Sequence, residues 1–97
     1  MAQDQGPVEE ARGFRIEGRV QGVGFRWWTV RTAHFLGLRG WVMNLPGGAV
    51  EVHASGSAEA LDRMREQLGL GPSGSRVDGV ADVLASGDLP PSGFEIR

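Results

Sequence analysis

Residues 14–36 read FRIEGRVQGVGFRWWTVRTAHFL, and the fold turns on how this stretch divides. Up to Val20 the pattern alternates. Phe14, Ile16 and Val20 share one face and Arg15, Glu17 and Arg19 the other, which is the period of a half-buried strand. Gly18 falls on the apolar face and leaves room there. From Phe25 the period changes: Phe25, Trp28, Thr29, Thr32 and Leu36 lie within one arc at about 100° per residue, as on an amphipathic helix, and Gly37 stops it. Between the two runs lie Gln21, Gly22, Val23 and Gly24. With Gly18 this is more glycine than a turn needs, and it suits a loop whose backbone N–H groups turn inward towards an anion. Chain reversal is the plainer use of the same residues.

Further along, the two periods recur. Leu38 to Asn44 reads as a strand, Pro46-Gly47-Gly48 as a hairpin connection, and Ala49 to Ser55 as a third strand in which Val50, Val52 and Ala54 alternate with Glu51 and His53. Ser57 is placed to cap a second helix, with Leu61, Met64 and Leu68 on one face and Gly69 as its end. GLGPSGS (residues 69–75) is loop, Arg76 to Leu84 a fourth strand, SGDLPPSG (residues 86–93) a second loop, and FEIR (residues 94–97) a short closing strand. The polar residues 1–11 read as a flexible tail, leaving residues 12–97 as one domain.

This order, βαββαβ with a short fifth strand, predicts an α+β fold. Two helices can cover only one face of such a sheet, giving a two-layer ferredoxin-like sandwich on an antiparallel-type sheet. A right-handed crossover and a hairpin place the third strand between the first two, which then run parallel and end at the same edge. That edge gathers the glycine loop, Arg26 in the first helical turn, and Asn44 at the end of the second strand. The two strand ends are roughly 10 Å apart at ordinary strand spacing. A guanidinium at Arg26 can grip a phosphate through two parallel hydrogen bonds, and the helix N-terminus adds partial positive charge.

Composition excludes several other chemistries. A chain of 97 residues with 40% hydrophobic content can bury roughly 60–70% of its unfolded surface, so it needs no covalent staples. It has no cysteine, which rules out thiol catalysis and thiolate metal sites and suits a reducing compartment. His34 and His53 show no familiar ligand spacing, so no metal is expected. No apolar run approaches the ~20 residues of a membrane span, and no signal region opens the chain, which points to a cytoplasmic protein without a membrane partner. The net charge is −2 and no basic stripe is present, a poor start for binding nucleic acid. GVGFRWW echoes an aromatic RNA-binding motif only faintly, because it bridges a loop and a helix instead of lying on a strand.

GRVQGVGFR (residues 18–26), followed by GWVMN (residues 40–44), resembles the acylphosphatase family. The resemblance runs from about Phe14 to Arg97, through GPSGSRV (residues 71–77) and the closing FEIR. It implies a ferredoxin-like sandwich and the hydrolysis of a carboxyl–phosphate mixed anhydride to a carboxylate and inorganic phosphate. It further implies that Arg26 binds the phosphoryl group, that Asn44 orients the attacking water, and that the backbone of Gln21, Gly22, Val23, Gly24 and Phe25 forms the cradle. The partner is then a small-molecule acyl phosphate and the protein a monomer that needs no metal or cofactor. Trp27-Trp28 departs from the family, where aromatic pairs containing tyrosine are common, and this bears on the pocket rim only. Such a site suits the reaction. The leaving carboxylate has a conjugate acid of pKa roughly 4 and needs no enzyme acid. The loose transition state of phosphoryl transfer makes little demand for a strong base.

Other readings stand beside this one. A non-catalytic anion-binding or interaction domain on the same fold would keep the loop without turnover. Trp27 either lines the site or is a plain surface aromatic, Trp41 reads as sheet packing, and Arg19 is either solvated or assists the substrate from beside the loop.

Overall fold

The computed structural model describes residues 9–97. The chain runs through β1 (Glu10–Arg19), α1 (Phe25–Phe35), β2 (Arg39–Asn44), β3 (Val50–Gly56), α2 (Ala58–Leu70), β4 (Arg76–Val83) and β5 (Phe94–Ile96). The sheet order is β4-β1-β3-β2-β5. β3 lies between β1 and β2 and is antiparallel to both, so β1 and β2 run the same way and end at one edge.

The alternation in β1 has the predicted result: Phe14 and Ile16 are fully buried while Arg15 and Glu17 face solvent. Val42, Val50, Val52 and Ala54 complete the sheet's inner face, and Leu61, Met64 and Leu68 of α2 close over it. Truncating any of these large side chains to alanine removes contacts worth about 2–5 kcal/mol. On α1 the buried line is Phe25, Thr29 and Ala33, spaced by four. Trp28 and Leu36 pack along its margin, and the Trp28 ring lies 5.3 Å from Phe25. Gly18 answers a demand of the backbone. β1 shifts register against β4 at this point, and a Cβ here would collide with the Arg76 carbonyl.

The opposite face of the sheet carries a second packed layer. Trp41 is buried there, stacked on His53 at 4.4 Å between ring centroids, with the Arg97 guanidinium over its ring and its indole N–H donating to the Asp88 carbonyl. His53 Nδ1 accepts from the Ser86 N–H and its Nε2 bonds Glu51. Trp41 is thus sheet packing, as expected, and the loop after β4 folds over it.

Three expectations need correction. Glu10 and Ala11 belong to β1, paired with Gly56 and Ser55, and not to a tail; residues 1–8 of that tail lie outside the described residues. α2 passes through Gly69 and ends at Gly71, whose φ of 70° breaks the helix while its N–H still bonds the Gln67 carbonyl. Gly69 keeps a helical backbone, at a cost of about 1 kcal/mol relative to alanine, because Leu68 and its partners hold the turn. Finally, β5 pairs parallel to β2, from Gly40↔Phe94 to Val42↔Ile96, so the sheet is mixed.

Candidate active site

At the shared edge of β1 and β2 the loop after Val20 opens a pocket of about 180 Å³. Gly22 and Gly24 have φ of 75° and 77°, and a Cβ added at either would touch nothing within 4 Å. Space is not the constraint; the left-handed backbone is, and glycine adopts it without strain. Gly24 caps α1 with no side-chain hydrogen bond, and the first turn contains no acidic residue. The first backbone bond of the helix runs from the Trp28 N–H to the Gly24 carbonyl. Among the described residues, the N–H groups from Gly22 to Trp27 donate to no backbone acceptor. They present a row of open donors at the positive end of a helix, where the aligned peptides amount to roughly half an elementary charge.

Arg26 sits in that first turn, exposed and lining the pocket, and among the described residues it is the one charged side chain that does so. Among the described residues no carboxylate pairs with it, so its guanidinium is available to an anion. Asn44 lines the pocket from the end of β2, opposite Val50 in the ladder. Its Oδ1 is buried and, among the described residues, has no hydrogen-bond partner. Such a group ordinarily costs about 1–3 kcal/mol unless a ligand or a water completes it.

Gln21, Gly22, Gly24 and Phe25 also line the pocket, whereas the Val23 side chain packs against the core and leaves only its backbone to the loop. The Gln21 side chain turns away from the opening and donates from Nε2 to the carbonyl oxygens of Leu45 and Ala49, at 2.9 Å each. Those two residues close the β2–β3 connection through the Leu45 N–H to Ala49 carbonyl bond of 2.8 Å. The loop is thereby tied to the segment that follows Asn44. Trp27 lines the pocket and is 60% exposed, so it combines both readings of this residue, and Arg19 does not line it. Sequence reasoning missed Ile96, which reaches the pocket from β5. It also missed the bracing by Gln21, since no local pattern shows where a glutamine amide will point. Among the described residues no group of three or more His, Asp or Glu side chains comes together as a metal-ligating cluster.

The fold and the site together define a ferredoxin-like sandwich with a glycine loop and a pocket at the shared strand edge. The acylphosphatase family model matches residues 12–96. An acylphosphatase of Nitratidesulfovibrio vulgaris (strain DP4) is 51% identical over 89 residues, covering 89% of this chain and 88% of its own. One from Paraburkholderia xenovorans is 49% identical over 95 residues, 98% of each chain. The crystal structure of acylphosphatase from Bacillus subtilis superposes with a TM-score of 0.81 at 33% identity, covering 93% of this chain and 99% of that one. The chain belongs to the acylphosphatase family, and it is an enzyme of that family, a hydrolase acting on small-molecule acyl phosphates. The non-catalytic alternative gives way to that relationship.

Proposed function

We propose that the chain cleaves the carboxyl–phosphate bond by in-line attack of a water held by Asn44 on a phosphoryl group held by Arg26 and the Gln21–Phe25 backbone. The observation that carries this reading is that, among the described residues, the buried Oδ1 of Asn44 has no hydrogen-bond partner and Arg26 no ion-pair partner, and both line one pocket with Gly22 and Gly24. The water oxygen forms a bond to phosphorus as the bond from phosphorus to the acyl oxygen breaks. The carboxylate departs with the electron pair, and the water's second proton passes to a phosphoryl oxygen, giving dihydrogen phosphate. No group on the protein gains or loses a proton. Arg26 and the loop donors neutralise charge on the equatorial oxygens, and Asn44 fixes the direction of approach.

On this reading the reaction needs no metal, and the protein works as a cytoplasmic monomer. No helix among the described residues is long and apolar enough to cross a membrane. The deciding experiment measures hydrolysis of benzoyl and acetyl phosphate by the purified chain in excess chelator, with sedimentation to give its mass. Turnover at undiminished rate supports the reading. Loss of turnover restored by a divalent cation would replace it with a metal-assisted mechanism.

A further inference from the structure

A second recess lies away from the glycine loop, between α1 and α2. Its volume is about 480 Å³, and it shares no lining residue with the pocket of Arg26 and Asn44. One wall is apolar. Trp28 and Leu36, half-buried against the core, line it, and Phe35 beside them is 89% exposed. This wall runs along α1 for roughly 12 Å at 1.5 Å per residue. The facing wall, from α2, is polar and carries Arg63, Glu66 and Gln67. Two guanidinium groups flank the recess, Arg31 from α1 and Arg63 from α2, and both residues are exposed. Among the described residues neither is ion-paired, α1 contains no acidic residue, and Glu66 is the one carboxylate lining the recess.

We infer that the recess between the helices is a second ligand site, and that it takes a small amphipathic anion, an aromatic carboxylate, with its ring on Trp28 and Phe35 and its charge on Arg31 and Arg63. The volume is that of a small-molecule site. Indole and phenyl faces stack on an aromatic ring, and a guanidinium meets a carboxylate through two parallel hydrogen bonds. A helix from a partner protein fits less well. It would lay apolar side chains against Glu66 and Gln67 on the α2 wall, leaving polar groups to be desolvated without partners. The site is independent of how the glycine loop is read, since the two recesses have no residue in common.

The test titrates the full chain at neutral pH with 2-naphthoate, calorimetrically and by amide chemical shifts, beside the uncharged 2-naphthol and the cationic 2-naphthylmethylammonium. Naphthoate should bind about tenfold or more tightly than either, with shifts gathered on Trp28, Arg31, Phe35 and Arg63. Replacing Arg31 and Arg63 together by glutamine should bring naphthoate to within about threefold of naphthol, and Phe35→Ser should weaken all three probes. Glu66→Gln should tighten naphthoate binding, because it removes the one carboxylate facing the anion. All four positions are exposed, so these variants should fold. Arg26→Ala should bind naphthoate as wild type does. Shifts confined to residues 21–26, or binding lost in Arg26→Ala, would place the anion at the glycine loop and overturn the inference. Equal binding of the three probes, or none, overturns it as well. Self-association of the free chain that Phe35→Ser abolishes would give the recess to a second copy instead.

Discussion

Gln21 Nε2 donates to the Leu45 carbonyl oxygen at 2.9 Å, joining the glycine loop to the residue next to Asn44. Its second bond, to the Ala49 carbonyl at 2.9 Å, uses the other amide hydrogen. The two halves of the site, donors on the loop and amide on β2, are thus held in register by one side chain. Replacing Gln21 by alanine should cost about 1–2 kcal/mol of stability, from two bonds of ordinary net strength. It should also lower kcat by roughly tenfold, since small misplacements of a reacting group are costly. Gln21→Glu should be the worse variant at neutral pH, because it sets carboxylate oxygens against two carbonyls where donors stood. Thermal melts and steady-state kinetics on both variants test this, and a glutamate variant as stable as wild type would contradict the hydrogen bonds as drawn.

Arg26→Ala should remove at least ~3 kcal/mol of transition-state stabilisation, seen as a fall in kcat/KM together with loss of phosphate inhibition. Lysine should restore little, having a point charge where the site calls for a planar fork. Because Arg26 is exposed and makes no ion pair among the described residues, the melting temperature should hardly move. A folded alanine variant retaining most of its kcat/KM would remove Arg26 from the reaction.

The glycines offer a sharper contrast. At Gly22 and Gly24 the obstacle to substitution is φ, with empty space where a side chain would go. Valine at either position should weaken phosphate inhibition and cost about 1–3 kcal/mol, whereas asparagine, which tolerates the left-handed region, should retain most of both. Equal damage from valine and asparagine would show that side-chain bulk, not backbone conformation, decides these positions.

Asn44→Ala should lower kcat by about 10²-fold or more and leave KM and phosphate inhibition comparatively unchanged, since an amide that orients water acts after binding. Among the described residues, no histidine, aspartate or glutamate lines the pocket. Wild-type kcat should accordingly stay nearly flat from about pH 5 to 8, where a mechanism with a protein acid or base would trace a bell. A steep dependence within that window would bring in a titrating group from outside the pocket.

Periodicity alone carried the element order, because an alternation of two and an arc of 3.6 describe how each segment meets one apolar surface and need no knowledge of the rest. The order of elements then set β3 between β1 and β2, and with it the meeting of the glycine loop, Arg26 and Asn44 at one edge, since connection handedness leaves few arrangements open. Local signals failed where two distant segments negotiate a contact. Gly69 looks like a helix end, yet α2 continues to Leu70 because Leu68 is fully buried beneath it. Glu10 and Ala11 look like tail, yet β3 extends to Gly56 and supplies them with partners. A three-residue strand such as Phe94–Ile96 has too few hydrogen bonds to choose its own neighbour, so the free edge of β2 and the flank of α1 decided that Ile96 would line the pocket. The direction of the Gln21 amide was decided in the same way, by two carbonyls more than twenty residues away whose positions exist only once the sheet has formed.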